Sequence, residues 1–466
     1  MISADALHRL VDGIPRIESF YTLEELSRRA QQLVCDHPDS VEMIGLGKTR
    51  SGRPLACLRI GRGPCRVVAC GAPHPNEPVG CMTLSYLAET LAEDPALCEE
   101  LGCTWYIVTA WDADGLALNE GWLHGPFTLF EYARHYFRPT FSEQPDWTFP
   151  VRHKGLVFDR PTPEAEAVRT LIDDVAPDVM LSLHNCSFGG AYWYETEPTP
   201  EIWESLLKAA QTRGIPVNLS TPEMPYARLF APAVFRTLDA ETEYDYYESL
   251  GASDPSSLIR HGTTSASYAA RRHGTLGFVC EIPYFIDPKI GDGRGCGRTL
   301  RDVTADRLEA VAECGRRLAE WMSRLGDVIR PDSPYRLPLI TPSFSASDSA
   351  LGRQAAADPA FNREASVAEE FEACVVRPYY RSRNVGMLLS AIDYERARGI
   401  PDEAAEMLAG EVAQEAEDWL RRECDGYERA SNYRSAAIED LVAVQTESLL
   451  LAIGHAVDAS RKRRKV

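Results

Sequence analysis

Two stretches of this chain are nearly continuous in apolar residues, RVVACGA at 66–72 and CTWYIVTAW at 103–111. Strands that read this way are buried on both faces, which requires helices on both sides of their sheet. The surroundings fit. VEMIGLG (41–47) and PLACLRIG (54–61) read as neighbouring strands, and residues 78–94 suit a helix between the two apolar runs. PEAEAVRTLIDDVA (163–176) makes a second helix with proline near its start. DVMLSLHN (178–185) follows as a strand, then a helix near 199–213, then the strand TLGFVCEI (275–282). Upstream, YTLEELSRRAQQLV (21–34) has helical spacing, with Thr22 placed to cap it. The alternation predicts an α/β fold, a mixed, mostly parallel β-sheet flanked by helices, over residues 1–335.

A chain of 466 residues exceeds the size at which one core stops growing, so a second unit is expected. The composition shifts after about residue 330. Pro-Asp-Ser-Pro and a serine-rich stretch read as a linker at 336–350. Beyond it, 351–460 is rich in Ala, Glu and Arg and lacks strand signals. Its helices are expected at 363–375, 382–399, 402–423 and 430–456, as an appendage serving homo-oligomerisation or covering a cleft. The last six residues, RKRRKV (461–466), read as a basic tail rather than an import signal.

The formal charge of −20 disfavours nucleic acid, because phosphate binding needs clustered Lys and Arg. It also disfavours an acidic substrate unless the cleft is locally basic. Thirteen scattered cysteines, without a C-x-x-C pair, fit reduced thiols in the cytoplasm better than a disulfide framework. The opening Met-Ile-Ser-Ala-Asp has no signal-peptide pattern. No apolar run approaches the length of a membrane span, so no membrane partner is expected.

Candidate chemistry collects at strand ends. In RVVACGAPHPNEPVG the apolar strand runs into a turn carrying His74 and Glu77. Imidazole and carboxylate three apart in a turn can meet on one ion, and both are zinc donors. His184 closes the strand LSLHN. Glu281 lies inside the apolar GFVCEIPYF, where a lone carboxylate is costly unless paired or ligated. It is either an ion-pair partner of an arginine such as Arg271 or Arg272, or a general base tuned by its surroundings. Two His and one Glu around Zn2+ leave the fourth position open to water, as catalytic sites do. Active sites of open α/β sheets gather at strand C-terminal ends.

The order H-x-x-E, then His after a strand, then Glu in a late strand resembles the zinc metallocarboxypeptidase family typified by carboxypeptidase A. YTLEEL, IGLGKTRSGRPL and GAPHPNEPVG are similar to that family's N-terminal half. WDADG (111–115) stands where the family has Asn-Pro-Asp-Gly, and PTPEAEAV (161–168) resembles its entry to the helix before the second histidine. The resemblance spans roughly residues 17–330. It implies His74, Glu77 and His184 as metal ligands, Glu281 as general base, and a peptide or peptide-like substrate.

The pattern also departs from the family. The Asn-Arg pair that holds a substrate's C-terminal carboxylate has its nearest match in Asn119 and Glu120, without the arginine. Arg138 and Arg134 are candidates for polarising the scissile carbonyl. His261, with Arg260, occupies the region of the family's mobile tyrosine, and Ala266 and Ser267 stand at the specificity position. The run AYWYE (191–195) lines a pocket or fills the core. Three functions compete: cleavage of a C-terminal peptide or amide bond, deacylation of an N-acyl amino acid in the manner of aspartoacylase, and non-catalytic zinc-containing binding.

Overall fold

The structure is a computed structural model and describes residues 4–221, 223–341 and 345–463. Helix α1 (Leu23–Asp36) opens at Thr22, whose hydroxyl accepts from the Glu25 amide while the Glu25 carboxylate accepts from the Thr22 amide. This reciprocal cap satisfies two polar groups that a helix start otherwise leaves open. Strands β1 (Val41–Lys48), β2 (Pro54–Ile60) and β3 (Cys65–Gly71) follow, then α2 (Val79–Glu93) and β4 (Cys103–Val108). After the short α3 (Leu129–Arg134) come α4 (Pro163–Val175), β5 (Val179–Gly189), β6 (Tyr192–Glu195) and α5 (Trp203–Thr212). Next are β7 (Leu229–Ala231), β8 (Val234–Arg236), α6 (Ser265–His273) and β9 (Leu276–Ile286). The C-terminal part holds α7 (Leu300–Leu325), α8 (Arg377–Ala397), α9 (Glu403–Ala430), β10 (Arg434–Ser435) and α10 (Ile438–Arg463).

Ten strands form one mixed sheet, ordered β1-β2-β4-β3-β5-β9-β6-β8-β7, with β10 pairing the end of β9. Its centre, β4-β3-β5-β9, is parallel, and β2 and β6 join that centre antiparallel. Strand alternation divides the central side chains between two layers. Val67, Ala69, Leu181 and Leu183 face one layer, with α2 and α10 packed on it. Val68, Cys70 and Met180 face the other, against Val168 and Ile172 of α4 and Ala269 of α6. Each such aliphatic side chain contributes about 1.5–3 kcal/mol by leaving water.

The register levels the functional strand ends. Gly71 lies opposite Leu183, and Glu281 lies opposite both His184 and Tyr192. Glycines set the distance of α2 from the sheet. A Cβ at Gly80 would stand 2.7 Å from the Leu183 carbonyl oxygen, and one at Gly71 would stand 2.9 Å from the Cys81 nitrogen. The helix therefore starts directly on the sheet, and the turn of residues 72–78 is held between them.

Three expectations need correction. The segment read as a linker carries helices Arg336–Ile340 and Ser345–Ala357. The helices beyond it share the main apolar core, with α10 packed on α2, β5 and β9, because their apolar faces are complementary to the sheet layer. Residues Ile438–Asp458 are long and apolar enough to cross a membrane by length and composition, yet most of that stretch is buried inside the protein. Within the expected basic tail, the helix runs to Arg463, and 464–466 lie outside the described residues.

Helix α8 crosses α3 at Gly386, where a Cβ would stand 1.7 Å from the Ala133 carbonyl oxygen. Gly386→Ala should destabilise the protein by about 1–3 kcal/mol through this overpacking. Gly315→Ala, in the interior of α7 with open space around the new methyl, should instead be neutral or stabilising by about 0.5–1 kcal/mol. Urea unfolding of both variants checks the pair, and equal effects would refute the crossing as the cause.

Candidate metal centre and its pocket

Strand β3 ends where Ala72 takes a left-handed conformation, φ 45°. The turn is tied down on both sides. The Trp111 and Asp112 amides donate to the carbonyls of Gly71 and Ala72, and the Glu77 amide donates to the His74 carbonyl at 3.1 Å. Asn185 of β5 accepts from the Val79 amide, and the Tyr284 hydroxyl of β9 donates to the Asn76 carbonyl. His74 and Glu77 thus leave one fixed turn toward β5.

There they meet His184. Nδ1 of His74 is 3.0 Å from Oε1 of Glu77, and Nδ1 of His184 is 2.9 Å from Oε2. One donor atom from each of the three residues lies within 4.8 Å of the others. Donors about 2.1 Å from a tetrahedral ion stand about 3.4 Å apart, so the trio is spaced to close on one divalent cation. The sequence-expected ligands converge.

The charges of the trio are interdependent. Burial raises the Glu77 carboxyl, but His74 and His184 more than offset it and hold it low, so it stays ionised. Burial, helped by Arg138, pushes His74 down to about 4 and keeps it neutral. Burial opposes the charged form of His184, yet Glu77 and Asp146 outweigh that and raise it well above the usual histidine range. A divalent cation held by this trio would take the place of the His184 proton.

Asp146 is a site residue that sequence reasoning missed. It accepts from His184 Nε2 at 3.1 Å, from the Ser182 hydroxyl at 3.0 Å and from the Ser265 amide at 3.1 Å. The Ser265 hydroxyl also donates to it. This fixes the ring so that Nδ1 faces the trio, the usual task of a carboxylate behind a metal histidine. Asp146 sits between Pro145 and Trp147 in a single 3-10 turn, where no periodicity marks it.

Glu281 stands beside the trio, Oε1 3.7 Å from His184 Nδ1. Burial, then nearby Glu77 and Glu223, raises its carboxyl well above the normal range against the pull of His184. Its expected alternative partners are engaged elsewhere, Arg271 with Glu241 and Arg272 with Asp173. Arg138 donates to Glu77 Oε1 at 3.1 Å and to His74 Nδ1 at 2.9 Å. All five residues line one recess. Tyr192 and Tyr194 line it, while Trp193 between them faces the core and donates to Ser448, so AYWYE serves both of its expected roles by alternation. Ala266 also lines the recess.

Three residues expected to bind substrate do not reach it. Asn119 is buried with its amide spent on the Gly115 and Phe137 carbonyls and its oxygen on the Phe137 amide. Arg134 pairs with Asp393 at 2.5 Å on the outer side. His261 donates to the Gly262 carbonyl and lies 3.0 Å from Glu243, in a separate depression. Each was singled out by its neighbours in the chain, and each is turned away by a nearer polar partner.

Residues 26–125 match the zinc carboxypeptidase family. Zinc carboxypeptidase A 1 of Anopheles gambiae is 30% identical over 124 residues, which are 23% of this chain and 28% of that protein. The chain therefore matches a little over a quarter of this relative's length. A metallo-carboxypeptidase from Burkholderia cenocepacia is 17% identical, covering 56% of this chain and 60% of that one at a TM-score of 0.35. Bovine thrombin-activatable fibrinolysis inhibitor, solved with tick carboxypeptidase inhibitor, is 13% identical over 57% of this chain and 86% of that one, also at 0.35.

Asp146→Asn should weaken divalent-cation binding about 10–100-fold, since it removes the acceptor that orients His184. Competition titration against a chromogenic chelator measures this, and an unchanged affinity would remove Asp146 from the site.

Proposed function

We propose that this chain is a zinc-dependent hydrolase of the carboxypeptidase type, cleaving a C-terminal peptide or amide bond. One observation carries the reading: His74, Glu77 and His184 bring donor atoms within 4.8 Å of one another, with Glu281 beside them. The family match over 26–125 includes the turn that bears His74 and Glu77 and supports the same conclusion.

Two imidazoles and a carboxylate are the donor set of hydrolytic zinc, and three protein ligands leave a vertex for water. Bound zinc supplies Lewis acidity, which acidifies water and draws electrons from a carbonyl. The chain's own groups do the rest. Glu281, beside the trio, takes the proton from the attacking water and passes it to the leaving nitrogen. Arg138 is placed to donate to the carbonyl oxygen as negative charge develops there. All thirteen cysteines are free thiols, which supports the cytoplasm as the place of action.

Elemental analysis of the purified protein should find about one zinc per chain. Chelation should abolish turnover of peptide substrates, and zinc should restore it. Glu281→Gln should lower kcat about 10²–10⁴-fold while zinc stays bound. Full activity in a metal-free preparation, or in Glu281→Gln, would overturn the scheme. A chain that binds zinc and cleaves neither peptides nor N-acyl amino acids would instead be a binding protein.

A further inference from the structure

The hydrolase reading leaves the substrate's own charge without a receptor. The sequence position expected for a carboxylate clamp is unusable, because Asn119 is consumed by backbone and Glu120 accepts from the Leu23 amide. The recess nevertheless holds a second arginine besides Arg138. It is Arg383, carried by α8 from the C-terminal part of the chain.

Arg383 is only 6% exposed, and its partners are all neutral. The guanidinium lies 4.4 Å from the Tyr136 ring centroid and 4.3 Å from that of Tyr380. Its Nε donates to the Tyr380 carbonyl at 3.2 Å and its Nη1 to the Ser187 hydroxyl at 2.7 Å. Among the described residues no carboxylate stands within ion-pair distance of it. The arginines around it differ. Arg138 faces Glu77, Arg377 pairs with Glu372, and Arg307 and Arg381 pair with Asp348. Of the acids on the recess wall, Glu77 is paired in this way and Asp146 is held by His184, Ser182 and Ser265. Glu223 remains on the recess wall, where the Tyr194 hydroxyl donates to it at 3.3 Å.

A buried cation without a counter-charge is costly, and it is retained where a ligand supplies the charge. The two tyrosine faces hold the guanidinium plane by cation–π contact while leaving part of its donor edge free for a planar carboxylate. The backbone is equally constrained, since Gly386, one turn on, lets α8 lie directly on Ala133.

We propose that Arg383 is the receptor for a free carboxylate on the substrate, so that this site takes acylated amino acids with an unblocked acid. C-terminal residues of peptides and N-acyl amino acids share that chemistry. The assignment rests on the hydrolase reading, and it makes the C-terminal helices part of the substrate site.

The test compares N-acyl dipeptides as free acids with the same compounds as C-terminal carboxamides. Wild-type kcat/KM should favour the acids at least 100-fold. Arg383→Gln should lose about 100-fold on the acids and less than threefold on the carboxamides, and Arg383→Lys should retain part of the preference. Equal cleavage of acids and carboxamides by the wild type, or equal losses on both in Arg383→Gln with an unchanged melting curve, would overturn the proposal. Should Arg383→Gln not fold, the wild-type ratio and Arg383→Lys decide the matter. Calorimetry on chelator-treated wild-type protein separates this from the hydrolase reading. Preferential binding of N-acetyl amino acids over their amides, without turnover by the zinc-loaded form, sinks the hydrolase reading and leaves Arg383 as an anion receptor. Equal binding of acids and amides sinks the receptor.

Discussion

The site is organised around one buried negative charge. Glu77 is 2% exposed, and an ionised carboxylate at that depth persists only with partners. It has three, His74 from its own turn, His184 from β5 and Arg138 from the loop after α3. Losing any one of them would leave it less well compensated. Hence the end of β3, the end of β5 and a loop far from both are required to meet. The close contact of α2 with the sheet, permitted by Gly71 and Gly80, places the turn where that meeting can happen.

The parts of this arrangement that could be read in the chain are those written into strand patterns. His74, Glu77, His184 and Glu281 each end or interrupt an apolar run, and a buried run leaves few directions for a polar side chain. The sheet register then sets Glu281 opposite His184. Asp146 and Arg383 carry no such mark. Asp146 acts from irregular backbone, and Arg383 sits in a helix whose periodicity reveals its apolar face but not the surface that face will meet. The same gap explains the misplaced linker. Composition marked where the main run of strands ends but missed the short β10 inside an expected helix, and the packing of α10 onto β5 and β9 is a property of two distant surfaces together. Asn119, Arg134 and His261 show the converse, because resemblance in order along the chain says nothing about which local carbonyl or carboxylate captures a side chain first.

An overall charge of −20 surrounds a recess that carries two arginines, Arg138 and Arg383. Within the recess Glu77, Asp146, Glu223 and Glu281 stand with them, and nearby Arg307, Arg377 and Arg381 are paired with Asp348 and Glu372. Charges of both signs at that depth interact more strongly than those on the exposed surface, where salt screens them.

The α10 helix has a consequence for how the protein comes into being. The Gln445 amide donates to the carbonyl of His184 at 2.8 Å, while its oxygen accepts from Thr83 at 2.9 Å. Strand β5 thus waits for a residue 261 positions downstream before its backbone is satisfied at the point that carries a ligand. The backbone beside the candidate metal centre is therefore complete only once α10 is in place.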